Sequence, residues 1–185
     1  MHRKKIAGVP ILISDQTDFK KRAIKRDPEG HFIILKGRIH QESHCKYVSS
    51  QHRSTEIHKI LEDFKKDIDS KAIIVGDFNN PLSKMDRSSK QNINKHILVL
   101  NNALDEMDFS DLWRAFHPKE AKYTFFSNAH GTFSKIHHMI GHKASLNKFK
   151  KIEIISGIFA DHKGLKLETN LKEENPQTLK NMEIE

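Results

Sequence analysis

The sequence has a single cysteine, Cys45, in 185 residues. One thiol excludes an internal disulfide framework, and a reducing intracellular compartment, nuclear or cytoplasmic, is expected. Long hydrophobic runs are also missing, since no stretch approaches the roughly 18 apolar residues of a membrane span. The segment Ile6 to Ile13 follows a basic start, but Gly8 and Pro10 interrupt it and Asp15 ends it, so no signal peptide is expected. Arg3-Lys4-Lys5 is too short for a nuclear import signal. Apolar residues make up only 36% against 30% charged, which implies a thin or incomplete core. Acidic residues are in deficit, 24 against 32 Lys and Arg, for a net charge of +8. That balance favours polyanions, nucleic acid first, although a Lys-rich surface also serves plain solubility. No repeat is present, and the length suits one domain. A soluble chain with no membrane association and no small-molecule cofactor is expected.

The patterning alternates between strand and helix, as in a layered α/β fold. Ala7–Ser14 (AGVPILIS) is an apolar β-branched run, expected as a buried strand. Asp27-Pro28-Glu29-Gly30 signals a turn. His31–Ile39 follows as a second strand, expected to pair antiparallel with the first. His40–Thr55 is polar and histidine-rich, a loop. Glu56–Ile68 spaces Ile57, Ile60, Leu61, Phe64 and Ile68 as one helical face, with Ser54 or Thr55 as cap. Ala72–Val75 is a short strand leading into Gly76-Asp77-Phe78-Asn79, and Pro81–Asn92 is loop. Ile93–Met107 carries Ile93, Ile97, Leu98, Leu100 and Leu104 as a second helix, and Asp108–Phe116 is a short third one stopped by Pro118. Lys122–Ser127 and Thr132–Ile140 read as strands joined by Asn-Ala-His-Gly. Ile152–Ile158 and Gly164–Thr169 are two more, with Asp161-His162 between them. Leu171–Glu185 lacks an apolar face and is expected as a disordered tail, leaving 1–170 as the folded part.

Three places carry chemistry. The strand before Asp77 delivers a carboxylate and the Asn79 amide to one side, two residues apart, at a sheet end where α/β folds place their sites. Such residues also simply end strands in turns. Asp161-His162 joins an imidazole to a carboxylate, able to act as acid, base or phosphate ligand, or to be two solvated loop residues. Tyr123 to Ser127 and Phe133 to His138 interleave aromatic and basic residues. These could stack on bases, but Phe125 and Phe133 are expected in the core. Thirteen histidines are present, but no Cys-His framework supports structural zinc, and a strand over Ile136–Ile140 would put His137 and His138 on opposite faces.

GDFN, PLSKMDRS, DLWRAFHPK, YTFFS, GTFSKI and a terminal DH occur here in that order. From about Lys5 to Leu167 the chain resembles the endonuclease domain of mammalian long interspersed element retrotransposons, whose polyproteins also carry an RNA-directed DNA polymerase. The resemblance implies an α/β fold, an incomplete four-layered α/β sandwich of the endonuclease/exonuclease/phosphatase type. It also implies Mg²⁺-dependent hydrolysis of a DNA phosphodiester, nicking target DNA, with DNA as partner. By the same resemblance, Asp77 positions the attacking water, Asn79 holds the phosphate and nucleophile, and His162 stabilises charge on the phosphate oxygens. Asp161 lies beside the metal, Tyr47 falls at the active-site tyrosine, and Thr124, Ser127 and Arg87 face DNA.

Three departures point to impairment. The family's N-terminal strands, with the glutamate that is the principal Mg²⁺ ligand, have no counterpart. The family's Ser-Lys-Ile-Asp-His reads Ser134-Lys135-Ile136-His137-His138, so His137 stands where an aspartate orients the catalytic histidine. Loss of such an orienting carboxylate costs about 10⁴-fold in a serine-protease triad. Lys46-Tyr47-Val48-Ser49-Ser50 replaces a more apolar Ile-Tyr-Ala-Pro-Asn. The expectation is a degenerate copy with weak or no activity, oligomerising through an exposed sheet edge, or alternatively a non-enzymatic basic nucleic-acid-binding remnant.

Overall fold

A computed structural model describes residues 11–15, 19–26, 32–39, 43–51, 61–62, 68–89, 92–156 and 163–170. Six strands form the main sheet in the order β1-β2-β3-β4-β8-β5. These are β1 Phe19–Arg26, β2 Phe32–Ile39, β3 Ser43–Gln51, β4 Ala72–Asp77, β5 Phe109–Asp111 and β8 His137–His142. The β3–β4 pair is parallel and its neighbours are antiparallel. Two hairpins complete the strands: β6 Phe125–Ser127 with β7 Thr132–Ser134, and β9 Phe149–Ile155 with β10 Gly164–Thr169.

β4 sorts its side chains by alternation. Ile74 and Phe78 join Ile97, Leu100 and Leu104 of helix α1, Lys95–Glu106, on one face. Ile73 and Val75 face the other way, against Leu112 and Trp113 of the short helix α2, Leu112–Phe116, and Phe149 and Ile152 of β9. With both faces covered, β4 reads as a continuous apolar run, as buried parallel strands do. Asn94 caps α1 by accepting the His96 N–H at 3.1 Å. Leu98 points outward, 50% exposed, and is not on the buried face. Gly141 permits the close seating of α2, because a Cβ there would come within 2.8 Å of Leu112 Cδ2.

Several elements differ from the sequence expectation. Ile11–Ser14 form no strand, and β2 pairs antiparallel with β1 and β3. The expected loop His40–Thr55 contains β3; backbone pairing on both sides outweighs its polar composition. Asp108 has a positive φ of 57°, which breaks the expected third helix, and β5 precedes α2. The expected strand Thr132–Ile140 divides at Lys135-Ile136 into β7 and β8. Phe133 is 48% exposed, not core. Of the first expected helix Leu61, Glu62 and Ile68 are described; Leu61 and Glu62 are helical, and Ile68 is not. The Asp27–Gly30 turn and Leu171–Glu185 lie outside the described residues.

Leu100 is fully buried and Val99 is 51% exposed. Leu100→Ala should therefore cost about 2–5 kcal/mol in urea unfolding, and Val99→Ala no more than about 0.5 kcal/mol. Equal effects would contradict this packing.

Candidate functional site

β4 carries Asp77 to the sheet end, where it is buried at 5% exposure. The Asn79 N–H donates to Asp77 Oδ1 at 2.9 Å, and Asn79 adopts a positive φ of 51°, a conformation asparagine tolerates better than most residues. This turn leaves Asp77 Oδ2 for another partner. Across the β4–β8 ladder Asp77 faces His137, whose Nε2 lies 4.0 Å from Asp77 Oδ2. The pair stands where the resemblance expects two carboxylates.

Thr124 is fully buried. Its Oγ1 accepts the Ile136 and His137 N–H groups at 3.1 and 3.2 Å. Its carbonyl accepts the Lys163 N–H at 2.8 Å. Thr124 therefore fixes the entry to β8 from the interior, whereas the sequence reading had it facing DNA. Arg87 bridges to Ser134, and Ser127 closes β6; both border the β6–β7 hairpin, where Phe133 stacks on Tyr123 and Phe126. The Tyr47 backbone pairs with Ile73, four steps before the Gln51–Asp77 row, roughly 13 Å along the strand. His162 and Asp161 lie outside the described residues.

Beneath this end lies a charge network that sequence reasoning missed. Lys135 is fully buried, and its Nζ lies 2.5 Å from Asp111 Oδ2, 2.8 Å from His138 Nδ1 and 3.8 Å from Asp86 Oδ1. Asp86 also accepts from Arg114 Nη2 at 2.8 Å and from the Ser83 N–H at 2.8 Å. Asp111 Oδ1 caps α2 by accepting the Trp113 N–H at 2.9 Å. His138 Nδ1 lies 2.8 Å from Asp111 Oδ2, and its Nε2 lies 3.1 Å from the Asn80 carbonyl. A carbonyl only accepts, so Nε2 carries the hydrogen. Burial pushes the Asp111 carboxyl up, but the Lys135 charge, the His138 hydrogen bond and charge, and the Lys135 hydrogen bond together outweigh it. The group is held well below the usual carboxylate range. No local signal marks the network, because Lys135 lies in Thr-Phe-Ser-Lys-Ile-His-His, which carries no apolar strand pattern.

Asp86, Asp111 and His138 offer ligand atoms within 4.8 Å of one another, close enough to hold a metal ion. The Lys135 nitrogen sits against all three residues, so its ammonium already supplies the cation this cluster needs. Asp77 belongs to no such three-ligand group among the described residues. Neither place, as described, fits a divalent ion.

No family model matches the chain. Solved structures do match its shape. An AP endonuclease from Archaeoglobus fulgidus aligns at TM-score 0.65 and 14% identity, over 79% of this chain and 70% of that one. The endonuclease domain of TRAS1, a telomere-specific non-LTR retrotransposon, gives 0.63 and 14%, over 81% and 69%. A 3′ phosphatase, NExo, from Neisseria bound to product DNA hairpin gives 0.60 and 16%, over 83% and 70%. The chain thus has the mixed α/β fold of endonuclease/exonuclease/phosphatase-type domains. No described helix is long and apolar enough to cross a membrane.

Asp111→Asn leaves the Lys135 charge buried with a neutral partner and should cost about 3–5 kcal/mol in chemical denaturation. The folded-state pKa of Asp111 is depressed, so its contribution is complete above the unfolded value near 4 and is lost as pH falls below it. Stability of the parent should drop through that window, and the Asn variant should show a smaller drop. Parallel curves would contradict the network.

Proposed function

We propose that this chain is a DNA phosphodiester hydrolase of the retrotransposon-endonuclease type, related to mammalian long interspersed elements, with weak or no activity of its own. The observation that carries the reading is the Asp77–Asn79 turn at the end of β4, set opposite His137 on β8. Asp77 Oδ2 would accept a proton from the attacking water. The Asn79 side chain would hold a phosphate oxygen, and His162 would stabilise charge on the phosphate, with Asp161 beside it. His137 brings an imidazole to the place of a carboxylate. It adds no negative charge to attract a cation or orient a second histidine, and this is the first ground for impaired chemistry. The second is that the described residues around Asp77 do not make a site for Mg²⁺, which would polarise the phosphoryl oxygen when bound.

A second reading, binding without catalysis, is favoured by the β6–β7 hairpin. Phe133 is exposed there, packed on Tyr123 and Phe126, with Arg87 bridged to its base. Aromatic faces beside cations suit stacking on unpaired bases, worth about 1–3 kcal/mol each.

Nicking of supercoiled plasmid with Mg²⁺, against EDTA, separates the two. The parent should nick weakly or not at all. His137→Asp should raise nicking by at least about tenfold, a fraction of what an orienting carboxylate contributes in a triad. Adding Asp77→Ala to it should abolish the gain. A folded His137→Asp protein with no nicking would leave the binding reading.

A further inference from the structure

We infer that strands β1 to β3 form a second nucleic-acid-binding surface, a basic strip that grips the phosphate backbone away from the Asp77 end. Five of the eight residues of β1 are Lys or Arg, with two more in β2 and one in β3, and none of the three strands has an Asp or Glu. The chain holds 32 Lys and Arg against 24 Asp and Glu. The eight cations of these strands equal the formal excess of +8, while Asp18, Asp27, Glu29 and Glu42 lie in the segments that adjoin them.

Their placement makes the charge a surface. The strands are consecutive at one margin of the sheet, and β1 ends it. Lys20, Lys21, Arg22 and Lys25 are exposed. The register steps from Lys21↔Gly37 to Ala23↔Lys36, which makes Arg22 the extra residue of a bulge; a bulge twists an edge and re-aims its side chains. Across the ladder Lys20 pairs with Arg38, and Lys36 with Lys46. Lysines on an edge strand block edge-to-edge pairing. That purpose explains cations on β1, but not those on β2 and β3 or the lack of acids within the three strands.

The strip is removed from the catalytic end. Lys25 lies three rows and Lys20 seven rows from the Gln51–Asp77 row, roughly 10 and 23 Å along the strands, and β1 is three strand spacings, roughly 14 Å, from β4. A phosphate backbone fits the charge density, because duplex DNA offers about one negative charge per 1.7 Å of axis. Such contacts position a nucleic acid without reading its bases.

The test is fluorescence anisotropy of the full chain, carrying Asp77→Ala to prevent cleavage, on labelled DNA and RNA duplexes between about 50 and 200 mM salt. A loss of binding is then read independently of nicking. Lys20→Gln, Lys21→Gln, Arg22→Gln and Lys25→Gln are combined in one variant, and a control combines Lys148→Gln, Lys150→Gln, Lys151→Gln and Lys166→Gln. The β1 variant should weaken binding at least about tenfold and lower the salt slope by up to roughly 3–4, about 0.9 for each phosphate that is no longer neutralised. The control should change both much less. Similar effects on DNA and RNA support backbone recognition, and a preference identifies which acid is held. Unchanged binding by the β1 variant, or an equal loss in the control, overturns the inference. So does tighter binding to phosphatidylserine vesicles than to either duplex at equal phosphate. If the β1 variant aggregates, acetylation footprinting of the parent decides. Protection of Lys20, Lys21 and Lys25 by duplex supports the strip, and equal labelling with and without duplex overturns it.

Discussion

The ammonium of Lys135 is the contact on which the candidate site depends. Buried without partners, it would destabilise the fold by several kcal/mol. Its partners come from three separate parts of the chain: Asp86 after β4, Asp111 at the start of α2, and His138 on β8. One charge therefore ties together the loop that leaves Asp77, the helix that packs on the far face, and the strand that faces Asp77. His138 passes this restraint on by donating to the Asn80 carbonyl. The Asp77-Phe78-Asn79-Asn80 turn is thus held from below by His138, from the side by the Phe78 N–H bond to the Ile136 carbonyl at 2.8 Å, and internally by the Asp77–Asn79 bond.

Much of the core architecture was legible in the sequence. β4, α1, β9 and β10 follow from apolar runs and helical spacing, because their faces are covered and the covering requires the pattern. β1 and β3 were not legible. FKKRAIKR and SHCKYVSSQ have no apolar alternation, and their strand form comes from ladders with β2 and β4. At the site, Asp77, Asn79 and His137 were named from the sequence, and the structure sets Asp77 and Asn79 at one strand end with His137 opposite. Tyr47 was placed by counting, and the β3–β4 register pairs its backbone with Ile73. Lys135 and Asp111 were read only as parts of longer words, and His138 only as a histidine facing away from His137; their meeting depends on the sheet order, which brings β5 to β8 and is not written in local spacing.

The basic strands and the Asp77 end occupy different regions of this fold. Around Asp77 the described chemistry is one carboxylate, one amide and one imidazole, a set able to orient water and phosphate. The positive charge lies on the outer strands, at a distance set by strand register. If a nucleic acid is held there, affinity and turnover are separable properties, and erosion of one need not erode the other.

The most direct test of the restraint beneath the site is the proton position on His138, read from the ¹⁵N shifts and one-bond couplings of its ring in solution. The account predicts a directly bonded hydrogen on Nε2, in contact with the Asn80 carbonyl, with Nδ1 facing Lys135 and Asp111. A bare Nε2, with the hydrogen on Nδ1 alone, would contradict it, because His138 could then no longer donate to the turn that carries Asp77 and Asn79.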